Sequence, residues 1–322
     1  MYSIYPQIIS KIYTFLKKLR LSVLSEGPDS FVEKKKRFYW AICKTDKGEK
    51  VFFKSLLKKE GEIKNRFKNE INFFKVLGEN PWHPLSKITP KLLTFSIDNS
   101  FPYLLYEFVP GEARTRKDQF SSTEIRKIMG LIKLINSSEN IFDFIPKKPL
   151  FDFCFYKKTI DSLSARVGIR KNLRKEIKDF IEKEKRIFHI AKHALTHGDF
   201  SEANLIFYKG KIKIADWEHV HLRNPYYDLV SFWTKRKKYP KEQKEIIKGY
   251  LSGEKKDWFP ELFKLALIEI CLRDLLFFKE ELKILKSELK KEDVIKRAEK
   301  GVRGEIKDTL KLLKDFNFRL KN

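Results

Sequence analysis

Two carboxylates and a carboxamide between residues 197 and 218 stand at a spacing that suits phosphoryl transfer. The segment His197-Gly198-Asp199-Phe200-Ser201-Glu202-Ala203-Asn204 is followed, twelve residues after Asn204, by Asp216 in Ile214-Ala215-Asp216-Trp217-Glu218. Chemistry on a polyphosphate needs hard ions such as Mg²⁺ to bridge its oxygens, and those ions take carboxylate and amide oxygens. It also needs a carboxylate that orients the acceptor hydroxyl and takes its proton. An Asp on a loop, an Asn five residues later and a second Asp beyond a hairpin supply those oxygens. The commoner nucleotide motifs are missing: the 13 glycines form neither GxGxxG nor GxxxxGK[ST]. That argues against a Rossmann site and a P-loop.

These residues must be held by elements the sequence also announces. Leu205-Ile206-Phe207 and Ile212–Ile214, split by Lys209-Gly210, are the expected hairpin strands around the Asn and the second Asp. Upstream, Arg37–Cys43 and Val51–Lys54 flank the turn Thr45-Asp46-Lys47-Gly48 and read as another hairpin. Ile63, Phe67, Ile71, Phe74 and Leu77 recur at helical spacing, ended by Gly78 and Pro81. Strands are expected at Lys91–Ile97 and Pro102–Val109, the latter stopped by Pro110-Gly111. Ser121-Ser122-Thr123-Glu124 opens a helix towards Ile135 with a capping residue ahead of the apolar positions. Residues 155–193 are helix-rich and highly charged, and nearly everything after Pro240 is helical up to Phe316. The layout is a small β-rich lobe followed by a larger helical lobe.

Composition excludes several classes. The 322 residues can hold two lobes, and 42% apolar residues with 28 Phe can fill a sizeable core. Cys43, Cys154 and Cys271 form neither a disulfide framework nor a metal knuckle; they are expected in the core of a cytoplasmic protein. No stretch reaches a membrane span. The 69 Lys+Arg against 43 Asp+Glu give a formal charge of +26, mostly lysine, 53 to 16 arginines. Arginine is the usual reader of phosphates and bases, so this excess counts against a nucleic-acid partner. Lys34-Lys35-Lys36-Arg37 reads as an exposed hairpin edge. The first 20 residues, with Ile8, Ile9, Ile12, Phe15, Leu16 and Leu19 among Lys11, Lys17 and Lys18, suit an amphipathic helix. Packing against the body of the protein is favoured for it, and peripheral contact with an anionic membrane surface stays open.

HGDxxxxN followed by DWE resembles the aminoglycoside phosphotransferase and choline kinase superfamily, small-molecule relatives of the protein kinases. The resemblance implies an α+β, bilobal protein-kinase-like fold with ATP and Mg²⁺ as cofactors. It makes Asp199 the catalytic base, Asn204 and Asp216 the magnesium ligands, and His197 a scaffold of the catalytic loop. Asn224-Pro225-Tyr226-Tyr227-Asp228-Leu229 is similar to the family's DPxxDL segment, whose last Asp, here Asp228, supports the active-site loops. Asn224 departs from the usual Asp, in a structural role that should tolerate it. Lys54 on its strand and Glu70 on the next helix are the expected phosphate-binding pair. Glu107 and Phe108 centre a hinge that meets adenine through backbone groups. Ser25–Ser30 occupies the place of the phosphate-covering loop with a single glycine. The implied organisation is an N-terminal helix at 1–20, an N-lobe at 21–110 and a helical C-lobe at 111–322, with the catalytic loop at 197–204 and the metal segment at 214–218.

Taken singly, each residue has an ordinary reading: Lys54 a solvated strand lysine, Glu70 a helix-surface carboxylate. Their order and spacing over 54–229 carry the chemistry. Three functions fit: a small-molecule kinase, a RIO-type atypical protein kinase, and a kinase-fold binding protein without catalysis. The sequence favours the first: DWE and NPYYDL are unlike the later segment of the RIO family and unlike the DFG and later APE of ordinary protein kinases, and no catalytic position is substituted. The acceptor is a hydroxyl on a sugar, amino sugar, amino alcohol or glycan head group, with Glu218 and His219 as candidate acceptor-site residues. Basic segments at 150–193 and beyond 240 count mildly against a strongly cationic acceptor. No obligate protein partner is evident.

Overall fold

A computed structural model describes residues 5–28, 37–57, 61–97, 101–143, 145, 151–252, 258–288 and 292–314. The chain forms two compact units, one of residues 1–113 with 204–219, the other of residues 114–203 with 220–322.

The first unit is built on a five-stranded antiparallel sheet. Its strands are β1 (Ser22–Pro28), β2 (Phe38–Lys44), β3 (Lys50–Leu56), β4 (Leu92–Ser96) and β5 (Tyr103–Glu107), in the order β1-β2-β3-β5-β4. Alternation along the strands sends the two sets of side chains to opposite faces. Tyr39, Ala41, Cys43, Val51, Phe53 and Leu105 pack on one face against α1 (Tyr5–Lys18), through Ile12 and Leu16, both almost fully buried. Burying each such side chain contributes about 1.5–3 kcal/mol. The N-terminal helix is therefore part of this unit's core, and its apolar face is covered. Tyr13 and Tyr39 both donate to the Glu26 carboxylate, tying α1, β2 and β1 together.

The opposite face carries Phe38, Lys54 and Tyr106, and α2 (Gly61–Glu79) lies on it. Phe67 stacks on Phe38 at 5.8 Å, and Phe74 meets Tyr106 at 4.8 Å. The short α3 (Pro84–Ile88) follows α2, started by His83, whose Nδ1 accepts from the Leu85 N–H at 3.3 Å. A second sheet joins β6 (Glu112–Ala113) to the hairpin of β8 (Leu205–Tyr208) and β9 (Lys211–Ile214). Lys209 and Gly210 turn that hairpin with positive φ. Gly111 approaches it so closely that a Cβ would sit 2.6 Å from the Phe207 carbonyl oxygen.

Two expectations change in this unit. Ser25–Pro28 is not a loop: it pairs in β1 with β2, Ser25 opposite Ile42 and Gly27 opposite Trp40. The connection to β2, residues 29–36, lies outside the described residues, and with it Asp29 and Ser30 of the expected phosphate loop and Lys34–Lys36 of the expected basic edge. Arg37, the last of that basic run, turns inward to an ion pair with Glu218.

The second unit is mostly helical. Its elements are α4 (Ser122–Asn136), α5 (Phe153–Val167), α6 (Lys171–Lys183), α7 (Ile187–Ile190), β7 (Ala194–Thr196), β10 (His221–Arg223), α8 (Tyr227–Lys235), α9 (Pro240–Leu251), α10 (Phe259–Glu288) and α11 (Glu292–Lys314). The expected capping box is present: Ser121 accepts from the Glu124 N–H, and the Glu124 carboxylate accepts from the Ser121 N–H. Asp152 caps α5, and Gly168 ends it in the left-handed conformation that glycine adopts at low cost. Cys43 and Cys271 are buried, whereas Cys154 is exposed rather than in the core. No described helix is long and apolar enough to cross a membrane.

Candidate active site

Lys54 is at the centre of the first unit's polar cluster. It lies on β3, opposite Trp40 on one side and Leu104 on the other. Strand alternation turns its side chain away from α1 and towards α2. There its Nζ donates to Glu70 Oε2 and to Asp216 Oδ1, each at 2.7 Å, and stands 3.9 Å from Glu218 Oε2. The Phe38 ring lies 4.4 Å from the ammonium, a cation–π distance. Glu70 also accepts from the Tyr106 hydroxyl at 2.9 Å, so both of its oxygens are engaged.

Burial alone would lower the Lys54 pKa, but Asp216, Glu70 and Glu218 outweigh it and hold the group protonated, above its ordinary value. Glu70 moves the other way from most paired carboxylates. Burial pushes it up to about 7, with Lys54 pulling it back only in part. Glu218 is held down to about 2: burial opposes this, but its hydrogen bond with His219 and the charges of Lys54, His219 and Arg37 prevail.

Asp216 and Trp217 owe their placement to the β8–β9 hairpin. Leu205 pairs with Ile214, and the Asn204 carbonyl accepts from the Ala215 N–H at 3.0 Å. Asn204 and Asp216 thus flank one end of the hairpin, and the eleven intervening positions are its two strands, its turn and Ala215. Asp216 has φ +64°, a left-handed conformation costly for a non-glycine residue and a frequent mark of functional sites. Trp217 fixes the segment: it is fully buried, donates to the Ile214 carbonyl at 2.9 Å and stacks on Phe73 of α2 at 4.1 Å.

Glu218 and His219 join the same cluster. Glu218 is buried, with Oε1 3.2 Å from Arg37 Nη1 and 3.2 Å from His219 Nε2. His219 Nε2 also lies 3.4 Å from Arg66 Nη1. Which of these two contacts is a hydrogen bond depends on the tautomer: Nε2 donates to Glu218 when it carries the ring proton and accepts from Arg66 when Nδ1 does. Tyr106, Arg37, Arg66 and Phe38 were not singled out from sequence for this site. Tyr106 and Phe38 left a trace, because they share the sheet face of Lys54.

At the expected hinge, the Glu107 N–H donates to the Lys91 carbonyl at 2.9 Å and the Phe108 N–H to that of Lys50 at 3.4 Å. The Glu107 side chain takes a bond from Lys213 at 3.1 Å, whose ammonium also reaches the Thr89 carbonyl at 2.8 Å. Among the described residues, the first N–H after β5 with no partner is that of Val109.

In the second unit, β7 leads into His197 and β10 into Asn224, so these antiparallel strands bring the two motif segments together. Asp228, in the first turn of α8, is fully buried and accepts from the N–H groups of His197 at 2.7 Å and Gly198 at 2.9 Å. Burial pushes the Asp228 carboxyl up, against the pull of His197 and those two N–H groups. The Asp199 N–H donates to His197 Nδ1 at 3.3 Å, which ties the loop to the buried imidazole. Asn224 donates through its amide to the Leu262 carbonyl at 2.7 Å and accepts from the Tyr226 N–H at 2.9 Å. An aspartate would supply only the second bond, so the departure at this position has a local reason.

The chain is similar over nearly its whole length to solved structures of kinase-like fold. The GDP and kanamycin complex of APH(2")-IIia aligns with a TM-score of 0.63 and 13% identity, covering 95% of this chain and 98% of that one. The choline kinase LicA from Streptococcus pneumoniae aligns at 0.60 and 16%, covering 94% and 99%. The Plasmodium vivax ethanolamine kinase aligns at 0.59 and 16%, covering 97% and 88%. At such identities the likeness defines the fold: α+β and protein-kinase-like. The family model of the phosphotransferase enzyme family (APH) matches residues 57–262, well over half of the sequence, and the chain belongs to that family and is a kinase. No protein of curated function matches it.

Proposed function

We propose that this protein transfers the γ-phosphoryl group of ATP, with Mg²⁺, to a hydroxyl of a small molecule. The observation that carries the reading is Lys54, buried on its strand and held at 2.7 Å by both Glu70 and Asp216. In the protein kinases a strand lysine of this kind binds the nucleotide phosphates and its helical glutamate orients it. The hinge supplies backbone groups for adenine; with the Glu107 and Phe108 N–H groups engaged in the sheet, the donor would be Val109.

The donor chemistry fits magnesium. Glu70, Asp216 and Glu218 bring carboxylate oxygens within 4.8 Å of one another. Glu70 and Glu218 are buried and committed to Lys54, Tyr106, Arg37 and His219, whereas the Asp216 side chain is 36% exposed and engages Lys54 through Oδ1 alone. Asp216 and Asn204 would therefore hold the ion, which neutralises charge on the transferring phosphates when bound. Asp199 would orient the acceptor hydroxyl and accept its proton. Asp228 and His197 keep the Asp199 loop in place. Glu218, turned inward, would act by positioning Lys54 and His219, leaving His219 as the nearer candidate for acceptor contact.

The names of the neighbours include an aminoglycoside complex, a choline kinase and an ethanolamine kinase. All three substrates are alcohols, which supports a small hydroxyl acceptor without choosing among sugar, amino sugar, amino alcohol or glycan head group. The test is transfer of labelled γ-phosphate to a panel of amino sugars, neutral sugars, choline, nucleosides and basic proteins. Asp199→Ala is expected to keep nucleotide affinity and lose turnover by two to four orders of magnitude, roughly the worth of a positioned general base. Asp216→Ala is expected to weaken Mg-nucleotide binding itself. Full turnover by the Asp199→Ala protein, or label on proteins alone, would overturn the reading.

A further inference from the structure

The second unit carries a basic surface that phosphotransfer chemistry does not use. On α11, Arg303, Ile306, Lys307, Leu310, Lys311 and Lys314 follow at i, i+3, i+4, i+7, i+8 and i+11, which makes them one stripe of the helix. The adjacent stripe, with Thr309 and Leu313, is the buried one. The basic stripe and Leu282 of α10 line an open groove of about 580 Å³. Its lining holds four cations against one carboxylate, Asp308.

Arg303 has Glu299 one turn back at 3.7 Å. Lys307, Lys311 and Lys314 are exposed and make no ion pair or hydrogen bond among the described residues. Attraction of cations to a helix C-terminus accounts for Lys311 and Lys314, which lie in the last turn. It does not account for Lys307, nor for Leu282, Ile306 and Leu310 left half-exposed beside them.

We propose that this groove docks the protein on an anionic lipid bilayer. Lys307, Lys311 and Lys314 would meet the headgroup phosphates, with Leu282, Ile306 and Leu310 against the upper acyl region. Charge complementarity carries the choice of occupant. Lysine stems reach past apolar contacts to place a point charge among mobile headgroups. A nucleic-acid site favours arginine forks and aromatic stacking, and this lining has one arginine and no aromatic. The amphipathic helix at the N-terminus is not available for the role, because Ile12 and Leu16 are buried in its own unit.

Flotation of the full-length protein with vesicles of phosphatidylcholine, alone or mixed with phosphatidylserine, tests this. The protein should partition onto the mixed vesicles only, less so at high salt. The triple variant K307E/K311E/K314E should lower that partitioning roughly 100-fold or more, and the K311Q single variant about 5-fold should the triple fold poorly. Leu310→Ser should weaken binding while keeping its salt dependence. The control K11E/K17E/K18E should bind as the wild type does. No binding to anionic vesicles, equal binding to neutral ones, or unchanged binding by both lysine variants would overturn the proposal. So would a stronger attachment to single-stranded RNA through the same lysines.

Discussion

Replacing Lys54 by methionine keeps the stem of the side chain and removes the charge at the centre of the polar cluster. The ammonium is 2.7 Å from both Glu70 and Asp216 and 3.9 Å from Glu218. At an effective dielectric near 20, each of the two short contacts is worth roughly 6 kcal/mol of attraction, most of it offset by desolvation of the ions. Removing one partner leaves that desolvation uncompensated, and such losses are about 3–5 kcal/mol. Asp216 can rehydrate, since its side chain is 36% exposed; Glu70, at 1%, cannot. The cost should therefore sit on Glu70. With the lysine gone, Glu70, already pushed up to about 7 beside it, stays buried by taking up a proton, which costs more the further the pH lies above about 7. Adding Glu70→Gln removes that need and keeps an acceptor for Tyr106, so at about pH 8.5 it should restore about 2 kcal/mol or more, a coupling within the range of contacting residues. Equilibrium urea unfolding of wild type, both single variants and the double variant reads the cycle, with turnover lost wherever Lys54 is absent. At about pH 8.5 a Lys54→Met loss below about 1 kcal/mol, or a further loss on adding Glu70→Gln, would refute the reasoning, since keeping the unpaired carboxyl buried, as an anion or as a forced acid, must cost more than that.

Asn224→Asp should destabilise the protein by about 1–3 kcal/mol by thermal unfolding, because a carboxylate would face the buried Leu262 carbonyl in place of an amide donor. Gly111→Ala should cost about 1–3 kcal/mol, since the Phe207 carbonyl oxygen and Ile206 Cγ2 must both give way; an unchanged melting temperature would contradict that contact. Glu305 of α11 is 2.8 Å from Lys237 and 3.5 Å from Arg116. Burial opposes its ionisation, but Lys237, Arg116 and Lys238 hold its pKa below the ordinary value. Its stabilisation is present above the unfolded-state pKa and is lost as pH falls through the lowered one. Glu305→Gln should therefore cost about 1.5–3 kcal/mol at neutral pH and progressively less towards acid, and urea midpoints equally separated at both pH values would exclude this.

Much of this fold was legible because its signals are local. The β2–β3 hairpin, the apolar stripe of α2 and the capping box of α4 each lie within about twenty residues, the range over which periodicity and turn chemistry act. The elements missed lack such signals for physical reasons. β1 is an edge strand that ends in Gly27-Pro28, a pair that reads as a loop, and at its terminal position Pro28 is tolerated. α8 is buried on every side from Tyr227 to Thr234, and although Asp228, Ser231 and Thr234 recur at helical spacing, nine residues are too few for that contrast to stand out. β7 and β10, three residues each, are too short to alternate. In the candidate site the same rule holds. Asp199, Asn204 and Asp216 lie within one short stretch, whereas Arg37 meets Glu218 across 181 positions, and no spacing rule joins them.

The distribution of the positive charge separates two roles that composition merges. Inside each unit the cations answer carboxylates. Lys54 and Arg37 surround Glu218, Arg223 and Arg273 share Glu269, Lys235 meets Asp274, and Arg116, Lys237 and Lys238 converge on Glu305. A buried charge must be matched this way, because leaving it alone in a medium of low dielectric costs several kcal/mol. The internal network therefore contributes little to the surplus of +26. The excess must lie on the surface, where lysine is cheap to solvate and where Lys307, Lys311 and Lys314 make no ion pair among the described residues. Net charge thus says little about the reaction, whose groups are nearly balanced. It bears on what the outside of the protein meets, and raising the ionic strength should weaken that attachment while leaving the buried cluster around Lys54 intact.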